Sequence, residues 1–127
     1  MPIDPRRGEV WRVDLEPTRG AEMQKTRPAV VLSSDRLGRL PLRLIVPLTG
    51  WNEGYAHLAW MARVDPTAAN GLTKLSAANG LTKLSAADAF QTRGASLERF
   101  GDRLGILSEE TLARITRALA LTVEYQP

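Results

Sequence analysis

Two polar residues stand at the ends of two apolar runs in this chain. Arg27 sits at the mouth of Thr26-Arg27-Pro28-Ala29-Val30-Val31-Leu32-Ser33, and Thr49 at the exit of Leu42-Arg43-Leu44-Ile45-Val46-Pro47-Leu48-Thr49. A short apolar run bounded by turn-formers predicts a buried strand. Paired antiparallel, the two strands bring Arg27 and Thr49 to one edge of a sheet. A guanidinium beside a hydroxyl is a receptor for a phosphate, or for the charge of its transition state. The planar fork of Arg27 matches two oxygens at once. Its intrinsic pKa, above about 12, keeps it charged and makes it a poor general base. The competing reading is a surface arginine at a strand end, paired with a carboxylate.

Composition bounds the alternatives. The chain has no cysteine, which excludes disulfides, thiol chemistry and cysteine-based zinc sites, and its single histidine, His57, cannot build a histidine cluster. No apolar run approaches the ~20 residues of a membrane span. The N-terminal Met1-Pro2-Ile3-Asp4-Pro5-Arg6-Arg7 has no apolar signal core behind its charges. The expectation is a soluble cytoplasmic protein with no metal and no cofactor. A length of 127 residues predicts one compact domain over residues 1–127, and a formal charge of +3 mildly favours a polyanionic partner.

The elements that must position Arg27 and Thr49 are mostly strands. Glu9 to Leu15 alternate Val10, Arg12 and Asp14 against Trp11, Val13 and Leu15, as a half-buried strand does. Glu16 to Lys25 is a polar loop with Pro17 and Gly20. After the Arg27 strand comes a polar stretch from Ser33 to Pro41, where Ser34-Asp35 can cap a helical turn. A second loop runs from Trp51 to Tyr55, and a fourth strand is expected from Ala56 to Val64, stopped by Pro66. Short strands follow from Ser85 to Thr92, then a turn at Gly94, a single helical turn at Ser96 to Phe100, and a compact glycine-rich stretch from Gly101 to Leu107. Ser108 is an N-cap, followed by Glu109 and Glu110 in the first turn of a helix. Leu112, Ile115, Leu119 and Val123 give that helix one apolar face, with Arg114 and Arg117 off it.

One stretch is duplicated. Ala68-Ala69-Asn70-Gly71-Leu72-Thr73-Lys74-Leu75-Ser76 returns unchanged as residues Ala77 to Ser85. A nine-residue period is too short for the common solenoid units, and two copies do not stack into a core. The expectation is a tandem duplication over 68–85 lodged in a surface loop, with the first copy as the insert.

An ordered series of residues then points to a family. Gly8-Glu9-Val10-Trp11, Asp14-Leu15-Glu16-Pro17, Gly20-Ala21-Glu22, Arg27-Pro28 and Val46-Pro47-Leu48-Thr49 together resemble the MazF/PemK family of toxin endoribonucleases. The likeness continues through Gly80 to Ser85, Gln91-Thr92-Arg93, Leu97-Glu98-Arg99 and Gly105-Ile106-Leu107-Ser108, covering roughly residues 6 to 122. No single piece is specific; the order of all of them carries the resemblance.

That resemblance implies a mostly β fold, an SH3-like antiparallel barrel of the MazF/PemK/CcdB type with a C-terminal helix. It implies a toxin of a type II toxin–antitoxin system that works as a homodimer. Such a toxin cleaves single-stranded RNA, without metal, to a 2′,3′-cyclic phosphate and a 5′-hydroxyl. A small acidic antitoxin, MazE-like, would occupy the same groove. It assigns catalysis to Arg27 and Thr49 and places Glu22, with Gln24 and Lys25, in a loop beside the RNA. Gln24-Lys25-Thr26 departs from the family, where glycines are common. Trp51 and Tyr55 can stack on bases and Asn52 can read a base edge. Ser85, Gln91 and Arg99 match the family's distal RNA-contacting segment. Trp11 and Trp60 are expected to fill core or interface, and His57 to have a packing role. Two other classes compete: a non-catalytic toxin of the same fold that poisons gyrase, as the CcdB family does, and an inactive binding relative. The CcdB family relies on a Trp-Gly-Ile terminus, whereas this chain ends Glu124-Tyr125-Gln126-Pro127.

Overall fold

The computed structural model describes residues 3–37, 39–73 and 84–126. Seven strands, β1 (Glu9–Asp14), β2 (Thr26–Val31), β3 (Leu42–Gly50), β4 (Met61–Val64), β5 (Ser85–Asp88), β6 (Arg93–Ser96) and β7 (Phe100–Ile106), precede one helix, α1 (Glu109–Thr122). The strands form one antiparallel, barrel-like sheet in the order β4-β5-β3-β2-β1-β7, with β6 on β3. The long β3 makes this possible. Its first half pairs with β6 and its last three residues with β5, while its middle pairs with β2.

The apolar runs are buried on both faces from Ala29 to Val31 of β2 and from Ile45 to Leu48 of β3, while Leu42 and Leu44 at the start of β3 are exposed. On one face Val10, Val30, Val46, Leu48, Val64 and Ala87 pack under Ile115 and Ala118 of α1. On the other, Trp11, Val13, Leu15, Ala29, Val31, Ile45 and Ala95 form a second cluster. Full burial of a side chain such as Ile115 contributes about 1.5–3 kcal/mol. The helix starts as the sequence predicts, with the Ser108 hydroxyl accepting from the Thr111 N–H. Val123 falls just past its end and is exposed, and Ala118 takes the inner position instead.

Local turns follow their capping residues. The expected turn at Ser34-Asp35 is a 3-10 turn over Asp35–Leu37, and Ser96 caps another over Leu97–Arg99. Two expectations change. The fourth strand begins at Met61, because Asn52 caps a 3-10 turn over Glu53–His57 by accepting from the Gly54 N–H at 2.8 Å. His57 therefore lies exposed in that turn and not on a strand. The glycine-rich stretch after Phe100 is a strand, β7, paired with β1.

The duplication is hosted differently from the expected protruding first copy. Asn70 is 3% and Leu72 2% exposed. The Asn70 side chain donates to Asp65 O and accepts from the Thr67 and Leu72 N–H groups. Gly71 has φ +77°, and a Cβ there would lie 2.0 Å from Leu104 O; a Cβ on Gly105 would lie 2.3 Å from Ala69 O. The head of the first copy is thus pressed onto β7, where Ile106 N–H also donates to Ala69 O. The tail of the second copy, Ser85, enters β5 opposite Gly50 and Val64. Residues 74–83, including Ser76, lie outside the described residues.

Candidate active site

Arg27 and Thr49 fall on one face of neighbouring strands. Ala29 pairs with Pro47, Val30 with Val46 and Val31 with Ile45, after which β3 turns to pair with β5 and Thr49 lies opposite Ala86. Residues two apart on a strand share a face. Arg27, Pro47 and Thr49 therefore lie at the open end of the face that buries Ala29, Val31 and Ile45. Val13 pairs with Arg27, so Leu15 extends the same surface on β1.

Arg27 is half-buried, and its Nε–H donates to the Gln24 carbonyl at 3.1 Å. Among the described residues no carboxylate pairs with it and nothing else bonds to its two terminal nitrogens. The guanidinium is held on one side and presents its fork to solvent, the geometry a bound phosphate needs. Thr49 is also half-buried.

The β1–β2 loop forms one wall. Its turn is closed by Glu22, whose N–H donates to Arg19 O and whose carboxylate accepts from Arg19 N–H. Glu22 is thus engaged within its own loop and not with Arg27. Lys25 occupies the left-handed region at φ +69°; its N–H donates to Glu16 Oε1 at 2.7 Å and its carbonyl accepts from Leu15 N–H. Gln24 contributes through its carbonyl. An open cleft of about 550 Å³ lies between this loop and the segment after β5, lined by Leu15, Glu22, Met23, Pro47, Gln91 and Arg93 among others.

The loop after β3 forms a second wall. Trp51 N–H donates to Leu84 O, and the Trp51 and Tyr55 rings meet edge to face with centroids 6.0 Å apart. Asn52 spends its side-chain oxygen on the cap, and its amide nitrogen has no hydrogen-bond partner among the described residues.

The three residues expected on the distal RNA-contacting segment each have protein neighbours of their own, and Gln91 also lines the cleft. Ala86 pairs with Thr49, so its neighbour Ser85 points to the opposite face, toward the layer under α1. Gln91 Oε1 accepts from the Met23 N–H at 2.6 Å, while its amide donates to the buried Asp88 at 3.2 Å. Arg99 Nη1 donates to the Asp14 carbonyl at 3.1 Å and to the Glu16 carbonyl. Sequence reasoning missed Glu16, Asp88 and the Arg93 bond to Leu15 O, because nothing local marks which backbone a polar side chain will reach. Among the described residues no group of three or more His, Asp or Glu side chains is placed to hold a metal ion.

Comparison with known proteins agrees with this architecture. The model of a family described as PemK-like, MazF-like toxin of type II toxin-antitoxin system matches residues 6–123. Endoribonuclease MazF9 of Mycobacterium tuberculosis is 36% identical over 125 residues, spanning 94% of this chain and 96% of that protein. The crystal structure of MazF from Deinococcus radiodurans superposes with a TM-score of 0.73 at 21% identity, covering 96% of this chain and 98% of that one. An endoribonuclease from Mycobacterial species in complex with its cognate antitoxin superposes with a TM-score of 0.69 at 21% identity, covering 97% and 98% of the two chains.

Proposed function

This chain belongs to the PemK-like, MazF-like toxins of type II toxin–antitoxin systems, and we propose that it works in the cytoplasm as an endoribonuclease whose chemistry centres on Arg27. The observation that carries the site assignment is the Arg27 fork, fixed at Nε, free of any carboxylate among the described residues, and on the same face of the β2–β3 pair as Thr49. The substrate is single-stranded RNA. Its own 2′-hydroxyl attacks the adjacent phosphorus in line with the departing 5′ oxygen, leaving a 2′,3′-cyclic phosphate and a 5′-hydroxyl. Arg27 stabilises the charge that builds on the non-bridging oxygens, where preorganised donors contribute most. The Thr49 hydroxyl orients the phosphate. Trp51 and Tyr55 supply a stacking wall and Asn52 a base-edge donor. We further propose that the whole chain acts as one toxin domain, pairs with a second copy, and is inhibited by a small acidic antitoxin. A basic, loop-framed groove suits the tail of such a partner.

The test is a gel assay of purified protein on a long single-stranded RNA with EDTA present. Discrete fragments ending in cyclic phosphate are expected, and Arg27→Ala should lose them by 10²-fold or more, roughly the effect of removing one preorganised donor. Cleavage that EDTA abolishes, or that Arg27→Ala retains, overturns the assignment. Absence of any cleavage by the wild-type chain would favour the gyrase-poisoning or inactive reading.

A further inference from the structure

The β1–β2 loop has almost no apolar anchor of its own. Of residues 16–25, only Thr18 and Met23 are not exposed, and Met23 alone packs against the second core cluster. A segment with so little buried surface takes its conformation from its polar tethers. Some of those tethers are internal, from Glu16 and Glu22; those from outside the loop come from the segment that follows β5. Arg99 reaches the carbonyls of Asp14 and Glu16, Arg93 reaches the carbonyl of Leu15 at 3.1 Å, and Gln91 receives the Met23 N–H. Three consecutive carbonyls at the loop's entry and one amide near its exit are thereby fixed. Gln91 is itself aimed by Asp88, which is 5% exposed and accepts from its amide nitrogen. One residue beyond Met23, the Gln24 carbonyl accepts from Arg27 Nε.

We infer that Gln91, Arg93 and Arg99 are positioning residues that clasp the β1–β2 loop by its backbone and through it set the plane of the Arg27 guanidinium, and that Gln91 and Arg99 are not RNA ligands. The inference rests on Arg27 being the phosphate-binding group. A long arginine side chain loses rotamer freedom when it is fixed, so whatever fixes it in advance of substrate raises the turnover rate. The carbonyl of Gln24 can do so only while the loop holds one conformation.

The experiment uses the full chain with Arg99→Ala, Arg99→Lys and Gln91→Ala, and three readouts. Hydrogen exchange at the Met23 and Lys25 amides should quicken in Arg99→Ala and Gln91→Ala, and return toward wild type in Arg99→Lys, which keeps a donor. Turnover should fall about tenfold to a hundredfold with KM little changed, as for a misplaced catalytic group. Binding of an uncleavable 2′-O-methyl oligonucleotide should keep its dependence on salt. A lost phosphate contact would instead lower the slope of log K against log salt by about 0.7. In an Arg27→Ala background, adding Arg99→Ala should remove no further activity. A reduced salt slope with unchanged loop exchange would make Arg99 an RNA ligand and overturn the inference. Unchanged turnover in both alanine variants would overturn it too. If Arg99→Ala fails to fold, Gln91→Ala carries the same readouts. If Arg27→Ala proves fully active, the functional reading fails while the exchange data still report on the clasp.

Discussion

At the scale of single residues, charge and geometry divide the work between Arg27 and Thr49. A guanidinium donates two parallel hydrogen bonds from a rigid plane; an ammonium cannot. Arg27→Lys should therefore lose most of its turnover while keeping much of its affinity for RNA, whose backbone still meets a positive charge. Thr49→Ala removes one hydroxyl from the rim of the site and should slow cleavage about tenfold, the scale of a single hydrogen bond at 1–1.5 kcal/mol. His57→Ala should keep most activity, because His57 is exposed in the 3-10 turn after Asn52. Single-turnover rates of the three variants check this ranking; a His57→Ala variant as dead as Arg27→Lys would show that proton transfer runs through the imidazole. Arg27 and Thr49 were legible from sequence because each ends an apolar run. The duties of Gln91 and Arg99 were not, because the carbonyls and amide they hold lie 68 to 85 positions away.

At the scale of elements, the duplicated segment is the informative case. Because its two copies are the same nine residues, removing any nine consecutive positions within 68–85 yields the same shortened chain. Deleting residues 74–82 is the frame that keeps the head, Ala68 to Thr73, with its buried Asn70 and Leu72, and the tail that enters β5 at Ser85. Cleavage should survive this deletion, and stability should shift by no more than about 1 kcal/mol, the scale of a change in loop closure. Gly71→Ala should do far worse. It places a Cβ against the Leu104 carbonyl at positive φ, and should cost at least about 2 kcal/mol. Leu72→Ala should cost about 2–5 kcal/mol as a core truncation. Urea melts of the three variants check these magnitudes; a Gly71→Ala variant as stable as wild type would move the packed head to the other copy.

At the scale of the whole molecule, β7 closes the chain back onto β1, and Glu9 fastens that closure. Burial pushes the Glu9 carboxyl up. Hydrogen bonds from the Arg6 N–H, the Arg103 guanidinium at 2.7 Å and the Trp11 indole, with the Arg103 charge, outweigh it and hold the group below the usual carboxylate range. A carboxyl whose folded pKa is depressed adds stability that is complete above its unfolded value and is lost as pH falls through the folded one. Acid should therefore loosen the β1–β7 pairing. Glu9→Gln should cost about 1–2 kcal/mol at neutral pH, and the gap from wild type should close as pH falls below the ordinary carboxylate range. Melting temperatures of both proteins across that range check the sign; a gap that widens in acid would contradict it. The β1–β7 and β3–β6 pairings also explain how residues from both halves of the sequence meet at one loop.

By itself the sequence determined the elements whose causes are local. Apolar runs between turn-formers made β2 and β3, their polar end residues marked the candidate phosphate-binding edge, and Ser108 with Glu109 and Glu110 began the helix where it is seen. The order of short motifs identified the family, since order survives where no single motif is specific. Only the tertiary structure decided matters that depend on partners distant along the chain. Ser85 faces away from Thr49 because strand register, which a one-residue shift would invert, is set by pairing with Gly50 and Val64. Two copies of one nonapeptide carry the same local preferences, and the packing of the first head on β7, with Gly105 making room for Ala69 and Asn70, is a tertiary contact that no local signal marks. Arginines that look alike in sequence part company for the same reason: Arg27 meets no carboxylate and keeps its fork open, while Arg99 finds two carbonyls and holds them.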